Sequence, residues 1–153
     1  MEDFDYLPAG PPDQHTWEYR RRKFDAFWMS CINEKGSITN DHVDGLKLEL
    51  ERCFCSGAWV AVILLAAAIA EVQLSYLDKW KKNEAVIFLE SLRISEDWEW
   101  LRNRRNKLIH GANKRSANRL SVEEYRRQRD DLQLDAQKAL RVALLVALNN
   151  PEP

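Results

Sequence analysis

The chain has 153 residues and a net charge of −1, with 45% hydrophobic and 31% charged residues. This length and composition predict one domain with enough apolar side chains to form a core. All five prolines lie in the first 12 or the last three residues, and there are only five glycines. The interior therefore has few helix breakers, which favours an all-α fold, an up-and-down helical bundle of four to six helices. We expect this single domain to span residues 13–150, after a flexible N-terminal segment at residues 1–12.

Cysteine content and hydropathy bear on the cellular compartment. Cys31, Cys53 and Cys55 are too few and odd in number for a disulfide framework, which predicts reduced thiols in a cytoplasmic protein. His42 is the only nearby residue that could join them at a metal, so no metal and no cofactor are predicted. The acidic N-terminus lacks a signal-peptide pattern. The longest uncharged apolar run, residues 57–70, has 14 residues, whereas a membrane span needs about 20; a buried helix is therefore expected, and no membrane partner.

Hydrophobic spacing predicts six helices along the chain. A turn is expected at residues 34–40 and a basic loop at residues 111–120. Ser121 and Glu124 have the spacing of a capping box before the last helix. In chain order, the helices are predicted at residues 14–33, from about 41 onward, and at 58–80, 84–93, 96–110 and 121–148. Ser56 and Gly57 either bend the second helix or allow close packing.

The same spacing predicts which side chains are buried. The first helix carries an aromatic stripe that favours packing over base stacking: Trp17, Phe24, Phe27, Trp28 and Cys31. The second helix has an apolar face at Leu46, Leu50, Cys53 and Phe54. The short fourth helix is expected to bury Val86, Ile87 and Leu89 or Leu92. The last helix has an apolar face at Tyr125, Leu132, Ala136, Leu140, Ala143, Leu144 and Ala147.

The third helix is apolar nearly all round, so we expect it to be buried among the others. Glu71 is the first charged residue after its apolar run. Two interpretations are open for this carboxylate. It faces solvent as the helix emerges from the core, or it pairs with Arg105 or orients His110.

The helix predicted at residues 96–110 combines a core-facing stripe with polar groups. Ser95 can cap it and Gly111 can end it. Its core-facing stripe consists of Trp98, Leu101 and Leu108. Arg105 lies on the same stripe, and a buried charge is costly unless it is paired. Asn106 and His110 are four residues apart and share the neighbouring face.

Charge is distributed unevenly along the chain. Residues 101–129 contain ten Lys or Arg and two acidic residues, a net charge of +8, so the remainder carries −9. Such a field indicates a polyanionic partner, and the alternative is a solvated basic face. The basic run at residues 20–23 has the same two interpretations.

The sequence from Arg105 to His110, Arg-Asn-Lys-Leu-Ile-His, resembles the Arg-Asn-x-x-x-His motif of HEPN domains. The long apolar helix that precedes it, with the lone carboxylate Glu71 near its end, also fits that family. The resemblance covers roughly residues 41–149. It implies a small all-helical, dimeric domain, and many such domains are metal-independent ribonucleases. Some HEPN toxins carry a Tyr two residues after the motif His, which a nucleotidyltransferase antitoxin modifies; here that position is Ala112, so that antitoxin is not predicted.

The chemistry of RNA cleavage suits these residue types. A 2′-hydroxyl attacks the adjacent phosphorus after a base removes its proton, and an acid protonates the leaving 5′-oxygen. Histidine suits either task because it titrates near neutral pH. Arginine holds phosphate oxygens and keeps its charge.

The resemblance implies a composite site at a homodimer interface, with two copies each of Arg105 and His110. Asn106 would fix the His110 ring or contact phosphate, and Glu71 would support the site. The residues predicted to contact the RNA backbone are Arg102, Arg104, Lys107, Lys114 and Arg115. An enzyme of this kind would be a toxin or phage-defence effector, restrained by an antitoxin or regulatory protein.

Two other interpretations are open. The chain is a non-catalytic helical module that binds RNA, nucleotides or a partner protein, or it is a helical protein with an incidental basic face. An enzyme predicts cleavage that depends on His110. A binding module predicts no such cleavage, and an incidental basic face predicts weak binding that is insensitive to salt.

Overall fold

The computed structural model describes residues 10–32, 41–110 and 122–149. Within these ranges 88% of the residues are helical and none is in a strand, which confirms the predicted all-α fold. The helices are α1 (Gln14–Cys31), α2 (Asp41–Ser56), α3 (Trp59–Trp80), α4 (Glu84–Ser91), α5 (Ser95–His110) and α6 (Val122–Leu148). The predicted turn at residues 34–40, the basic loop at 111–120 and Ser121 of the capping box lie outside the described residues.

Helix α3 lies at the centre of the fold. It contacts α2, α4, α5 and α6, and ten of its 22 residues are buried. Ala66, Ala67 and Ala70 are completely buried, and their small side chains let neighbouring helices approach closely. Buried side chains from the other five helices join those of α3 in one hydrophobic cluster.

Helix α3 is also long and apolar enough to cross a membrane, judged by length and composition alone. Its most apolar 18-residue window has a mean hydropathy of 2.0, and half of that window is buried inside the protein. The core helix of a soluble protein has the same character. The described helices therefore give only weak evidence for a membrane and are compatible with a soluble protein.

Much of the predicted core is observed. Phe24 and Cys31 of α1 and Leu50 and Phe54 of α2 are buried. The face predicted for α6 is buried at Ala136, Leu140, Ala143, Leu144 and Ala147 and partly buried at Leu132, whereas the side chain of Tyr125 is not described. These buried residues all belong to one hydrophobic core cluster.

Helix α4 buries Leu89 as predicted, but the rest of its buried face differs from the prediction. Val86 and Ile87 are 53% and 52% exposed, whereas Ala85, Phe88 and Leu89 are buried. The start of the helix sets this rotation, because the Ala85 backbone N–H donates to Asp78 Oδ1 at 3.0 Å. The apolar run has no polar residue to mark its outer face, so the sequence pattern did not reveal which side turns inward.

The junction between α4 and α5 also corrects one prediction. Arg93 has a φ of 56°, and the Ile94 N–H donates to the Leu89 carbonyl at 3.1 Å, which closes α4. Trp98 N–H then donates to the Ile94 carbonyl at 2.8 Å. Ile94 therefore takes the cap position, and Ser95, which was predicted to cap α5, is its first helical residue.

Gly57 forms the turn that connects α2 to α3. Its φ is 78°, a left-handed conformation that side chains other than glycine adopt at a cost. The N–H groups of Gly57 and Ala58 donate to the carbonyls of Phe54 and Cys53 at 3.1 and 3.0 Å, which closes the end of α2. An added Cβ would lie 2.7 Å from Arg20 Nη1, so the turn also packs tightly against α1.

The substitution Gly57→Ala should destabilise the protein by about 1–3 kcal/mol, because alanine would be held at a positive φ and the Arg20 guanidinium would have to move. Urea unfolding followed by circular dichroism measures this loss. Gly45→Ala is the matched control: Gly45 lies inside α2 with nothing within 4 Å of an added Cβ, and the change should stabilise the helix by about 0.5–1 kcal/mol. Shifts of the same sign in both variants would contradict the role assigned to Gly57.

Candidate functional site

Helix α5 is held by ion pairs to α6. Arg104 Nε lies 2.7 Å from Asp135 Oδ2. Nearer the start of α5, Asp97 lies 3.6 Å from Lys138 Nζ and 4.0 Å from Arg141 Nη1. Because later residues of α5 pair with earlier residues of α6, the two helices run antiparallel. This register fixes the height of the Arg-Asn-x-x-x-His segment in the bundle.

Arg105 connects α5 to the central helix. Its Nη1 donates to Glu71 Oε2 at 2.5 Å, and the two side chains are 22% and 37% exposed. The core-facing stripe brings Arg105 to this position: Leu101, one turn earlier, is completely buried, and Leu108 packs against the core. Of the two interpretations for Glu71, the structure has the carboxylate paired with Arg105.

Asn106 also contacts Arg105. Its Oδ1 accepts a hydrogen bond from Arg105 Nε at 3.2 Å. A guanidinium has five N–H donors, so within the described residues these two contacts leave three donors of Arg105 without a partner. The carboxamide thus lies against the arginine, whereas the sequence suggested contact with the His110 ring or with phosphate.

His110 is the last residue of α5 and is exposed. The structure gives its imidazole no hydrogen-bonding partner within the described residues. It follows Asn106 by one turn, so the two side chains share the exposed face of α5. The neighbouring Ile109 is 58% exposed. The imidazole therefore lies at an open surface, five residues after an arginine that is held in place.

The residues predicted to contact the RNA backbone differ in their surroundings. Lys107 is exposed. Arg102 is half-exposed, lies 3.5 Å from Glu99 Oε2 and lies over the Trp98 ring at 6.0 Å from its centroid. Arg104 is balanced by Asp135 inside the protein, which leaves it less available to an anion than Lys107. Lys114 and Arg115 lie outside the described residues, as does Ala112.

The comparisons with known proteins return no match. No family model, no curated protein and no solved structure matches this chain. The function must therefore be inferred from the chemistry of the site residues, and the HEPN likeness of the motif stays an expectation.

The thiols and potential metal ligands form no second site in the described residues. Burial raises the pKa of Cys31, Cys53 and Cys55, that of Cys55 to about 11, and a protonated thiol is a weak nucleophile. All three cysteines are free. Among residues 10–32, 41–110 and 122–149, no three side chains of His, Cys, Asp or Glu lie close enough together to hold a metal ion.

Sequence reasoning did not reveal one pair of arginines. Arg20 of α1 and Arg129 of α6 both donate to backbone carbonyls of the α2–α3 turn, at Cys55 and Gly57. The two residues are 109 positions apart, and no spacing rule links them. The sequence signals are the basic run at residues 20–23 and the basic segment 101–129, which contain Arg20 and Arg129 but do not link them.

Proposed function

We propose that this chain is a cytoplasmic, metal-independent endoribonuclease of HEPN type. The observation that carries the proposal is the pairing of Arg105 with Glu71 and Asn106, one and a half turns before an exposed His110. A cation held in place and an exposed imidazole on the same helix are two groups that phosphodiester transesterification can use. The net charge of +8 over residues 101–129 supports a polyanionic substrate.

The proposed reaction is an attack of the RNA on itself. His110 of one protomer removes the proton from the 2′-hydroxyl, and the 2′-oxygen forms a bond to phosphorus. The bond from phosphorus to the 5′-oxygen breaks, and the leaving oxygen takes a proton from a second His110. Arg105 stabilises the negative charge that develops on the phosphate oxygens. The products are a 2′,3′-cyclic phosphate and a 5′-hydroxyl.

The need for a base and an acid supports a homodimer. Each chain has one His110, and no second histidine lies near it in the sequence: the other two are His15 and His42. Two chains with facing α5 helices would supply both groups. The exposed Ile109 beside His110 provides an apolar contact suited to such an interface. A ribonuclease that contacts only the RNA backbone cuts many different RNAs. Such an enzyme suits the role of a toxin or defence effector that a regulatory protein holds inactive.

The test is incubation of the purified protein with labelled RNA in EDTA. We expect fragments that end in 2′,3′-cyclic phosphate, identified by mass spectrometry. An oligonucleotide of the same sequence with 2′-deoxy sugars should not be cut, because it lacks the nucleophile. Cleavage of the deoxy substrate, or loss of RNA cleavage in EDTA, would overturn the proposed mechanism.

One observation favours a second candidate, a non-catalytic module that binds RNA. Glu71 balances the charge of Arg105, and a balanced guanidinium attracts phosphate less strongly than a free one. A module of this kind would bind RNA through its exposed cations and show no cleavage under any condition above. The enzyme remains the better-supported proposal because, within the described residues, three donors of Arg105 have no partner.

Dimerisation gives a further prediction. If the active site is composite, the cleavage rate per mole of protein should fall as the protein is diluted below the dimer dissociation constant. Light scattering on a sizing column measures the mass, with 17.9 kDa expected for the monomer and twice that for the dimer. A constant specific rate over a dilution range in which the mass halves would show that one protomer suffices.

A further inference from the structure

Arg20 and Arg129, named here the arginine pair, meet at the turn between α2 and α3. Arg20 Nη1 donates to the Cys55 carbonyl at 3.2 Å, and Arg129 Nη2 donates to the Gly57 carbonyl at 3.0 Å. The Arg20 guanidinium also lies over the Trp59 ring, 4.9 Å from its centroid. Two helices that are distant in sequence thus bring two cations to one place.

No carboxylate in the described residues makes a hydrogen bond or ion pair with either member of the pair. Elsewhere in the described residues, each arginine that forms an ion pair has an Asp or Glu side chain as its partner. Here the acceptors are neutral carbonyls at the end of α2, whose dipole supplies about half a negative charge. Burial, and then the charge of Arg129, lower the pKa of Arg20, although arginine keeps its proton at neutral pH. The pair therefore brings two positive charges together, offset in part by the α2 dipole and, at Arg20, by the nearby charge of Asp13.

The pair also has unused donors. Each guanidinium has five N–H donors, and within the described residues each uses one of them, in its hydrogen bond to the turn. The turn holds both groups in place, so a ligand need not order them. Two fixed guanidinium groups with free donors match the oxygens of a phosphate, which accept paired hydrogen bonds from arginine.

The register of α5 and α6 places this pair at the same end of the bundle as His110. Arg104 and Asp135 mark one height. His110 lies six residues further along α5, and Arg129 lies six residues back along the antiparallel α6. Each helix rises roughly 9 Å over six residues, so His110 and Arg129 lie at similar heights.

We propose that the arginine pair is a phosphate subsite that binds the RNA backbone away from the scissile bond. The choice of RNA as ligand rests on the proposed function, whereas the affinity of the pair for phosphate does not. The subsite contacts backbone and carries no sequence preference. It adds affinity and fixes the path of the strand toward the α5 face.

The RNA-binding test uses a fluorescent single-stranded RNA and the His110→Ala protein as parent, so that the RNA stays intact. In this background we expect Arg129→Gln to raise Kd about five-fold at 0.1 M salt and to reduce the slope of log K against log salt by ~0.7. Arg129→Glu places a carboxylate beside Arg20 and should reduce the slope by ~1.4, since both cations are lost to the RNA. Fluorescence anisotropy measures both quantities.

Arg141→Gln is the matched control. It removes the same charge from the same helix, about 18 Å further along the axis, where Arg141 pairs weakly with Asp97. We expect RNA binding close to that of the parent. Equal losses in Arg129→Gln and Arg141→Gln would overturn the subsite in favour of a general charge effect, and so would parent-like binding in all three variants.

Inorganic phosphate tests the subsite without RNA. Phosphate should raise the Tm of the unmodified protein more than sodium chloride at equal ionic strength, and this excess should be absent from Arg129→Glu. Equal effects of the two salts on the unmodified protein would overturn the subsite. If the protein never cleaves RNA but both binding tests succeed, the enzyme proposal fails and the subsite stands. If His110-dependent cleavage is found but the Arg129 variants bind RNA and phosphate like their parents, the subsite fails and the enzyme proposal stands.

Discussion

Replacement of His110 by alanine should abolish RNA cleavage and leave RNA binding in place. General acid–base catalysis contributes roughly 10²- to 10⁴-fold, and in a composite site the substitution removes both the base and the acid, so we expect the upper end of this range. The side chain is exposed and has no partner in the described residues, so the free energy of unfolding should change by less than about 0.5 kcal/mol. Single-turnover cleavage of labelled RNA in EDTA measures the rate, and anisotropy measures the affinity.

His15→Ala is the control for this experiment. His15 is also an exposed histidine on a helix, in the first turn of α1, and its removal should leave the rate unchanged. Equal cleavage by the wild-type and His110→Ala proteins would show that His110 takes no part in the reaction or that the preparation contains a contaminating ribonuclease. The His110→Ala protein retains RNA binding under both candidate functions, so cleavage is the measurement that separates them.

The helices could be predicted from the sequence because their signals are local. Hydrophobic spacing gave α2 and α3, and the last apolar residues gave the end of α6. The face that α4 buries was not predictable in this way. It depends on Asp78 of the preceding helix, whose side chain accepts the Ala85 N–H and so sets how α4 begins.

The candidate site was predictable in part. Its residues were found from their types and spacing, but the sequence left open whether Glu71 faces solvent or pairs with Arg105. The choice depends on the rotation of α3 relative to α5, which is set by packing in the core and has no local signal. The same reason explains why the partner of Arg104, Asp135, was not foreseen.

The contact between Glu71 and Arg105 has two possible meanings, and a double-mutant cycle separates them. A brace would hold α3 against α5 and do nothing else. A catalytic guanidinium would be positioned by Glu71 and would act on phosphate through its remaining donors. Arg105→Met removes the charge and keeps most of the apolar stem that covers the core.

We expect Arg105→Met to lower the cleavage rate by about 10²- to 10³-fold, the usual cost of losing one group that stabilises developing charge. It should also destabilise the protein by about 1–3 kcal/mol, because it leaves the half-buried Glu71 without its partner. Arg104→Met is the matched control. It breaks an ion pair of similar exposure, between Arg104 and Asp135, and should cost similar stability but reduce the rate by less than about tenfold. Urea unfolding and single-turnover cleavage measure the two effects.

The second arm of the cycle is Glu71→Gln. This change removes a negative charge beside the proposed phosphate position, so RNA affinity should rise, while kcat should fall because Arg105 is held less firmly. In the double variant, Glu71→Gln with Arg105→Met, no carboxylate is left unpaired, and part of the lost stability should return with a coupling energy of about 0.5–3 kcal/mol. The activity should not return with it. A brace between α3 and α5 is repaired when both partners are removed, whereas a guanidinium that stabilises the transition state is not. Recovery of both stability and cleavage in the double variant would therefore assign Arg105 to packing and exclude it from the chemistry.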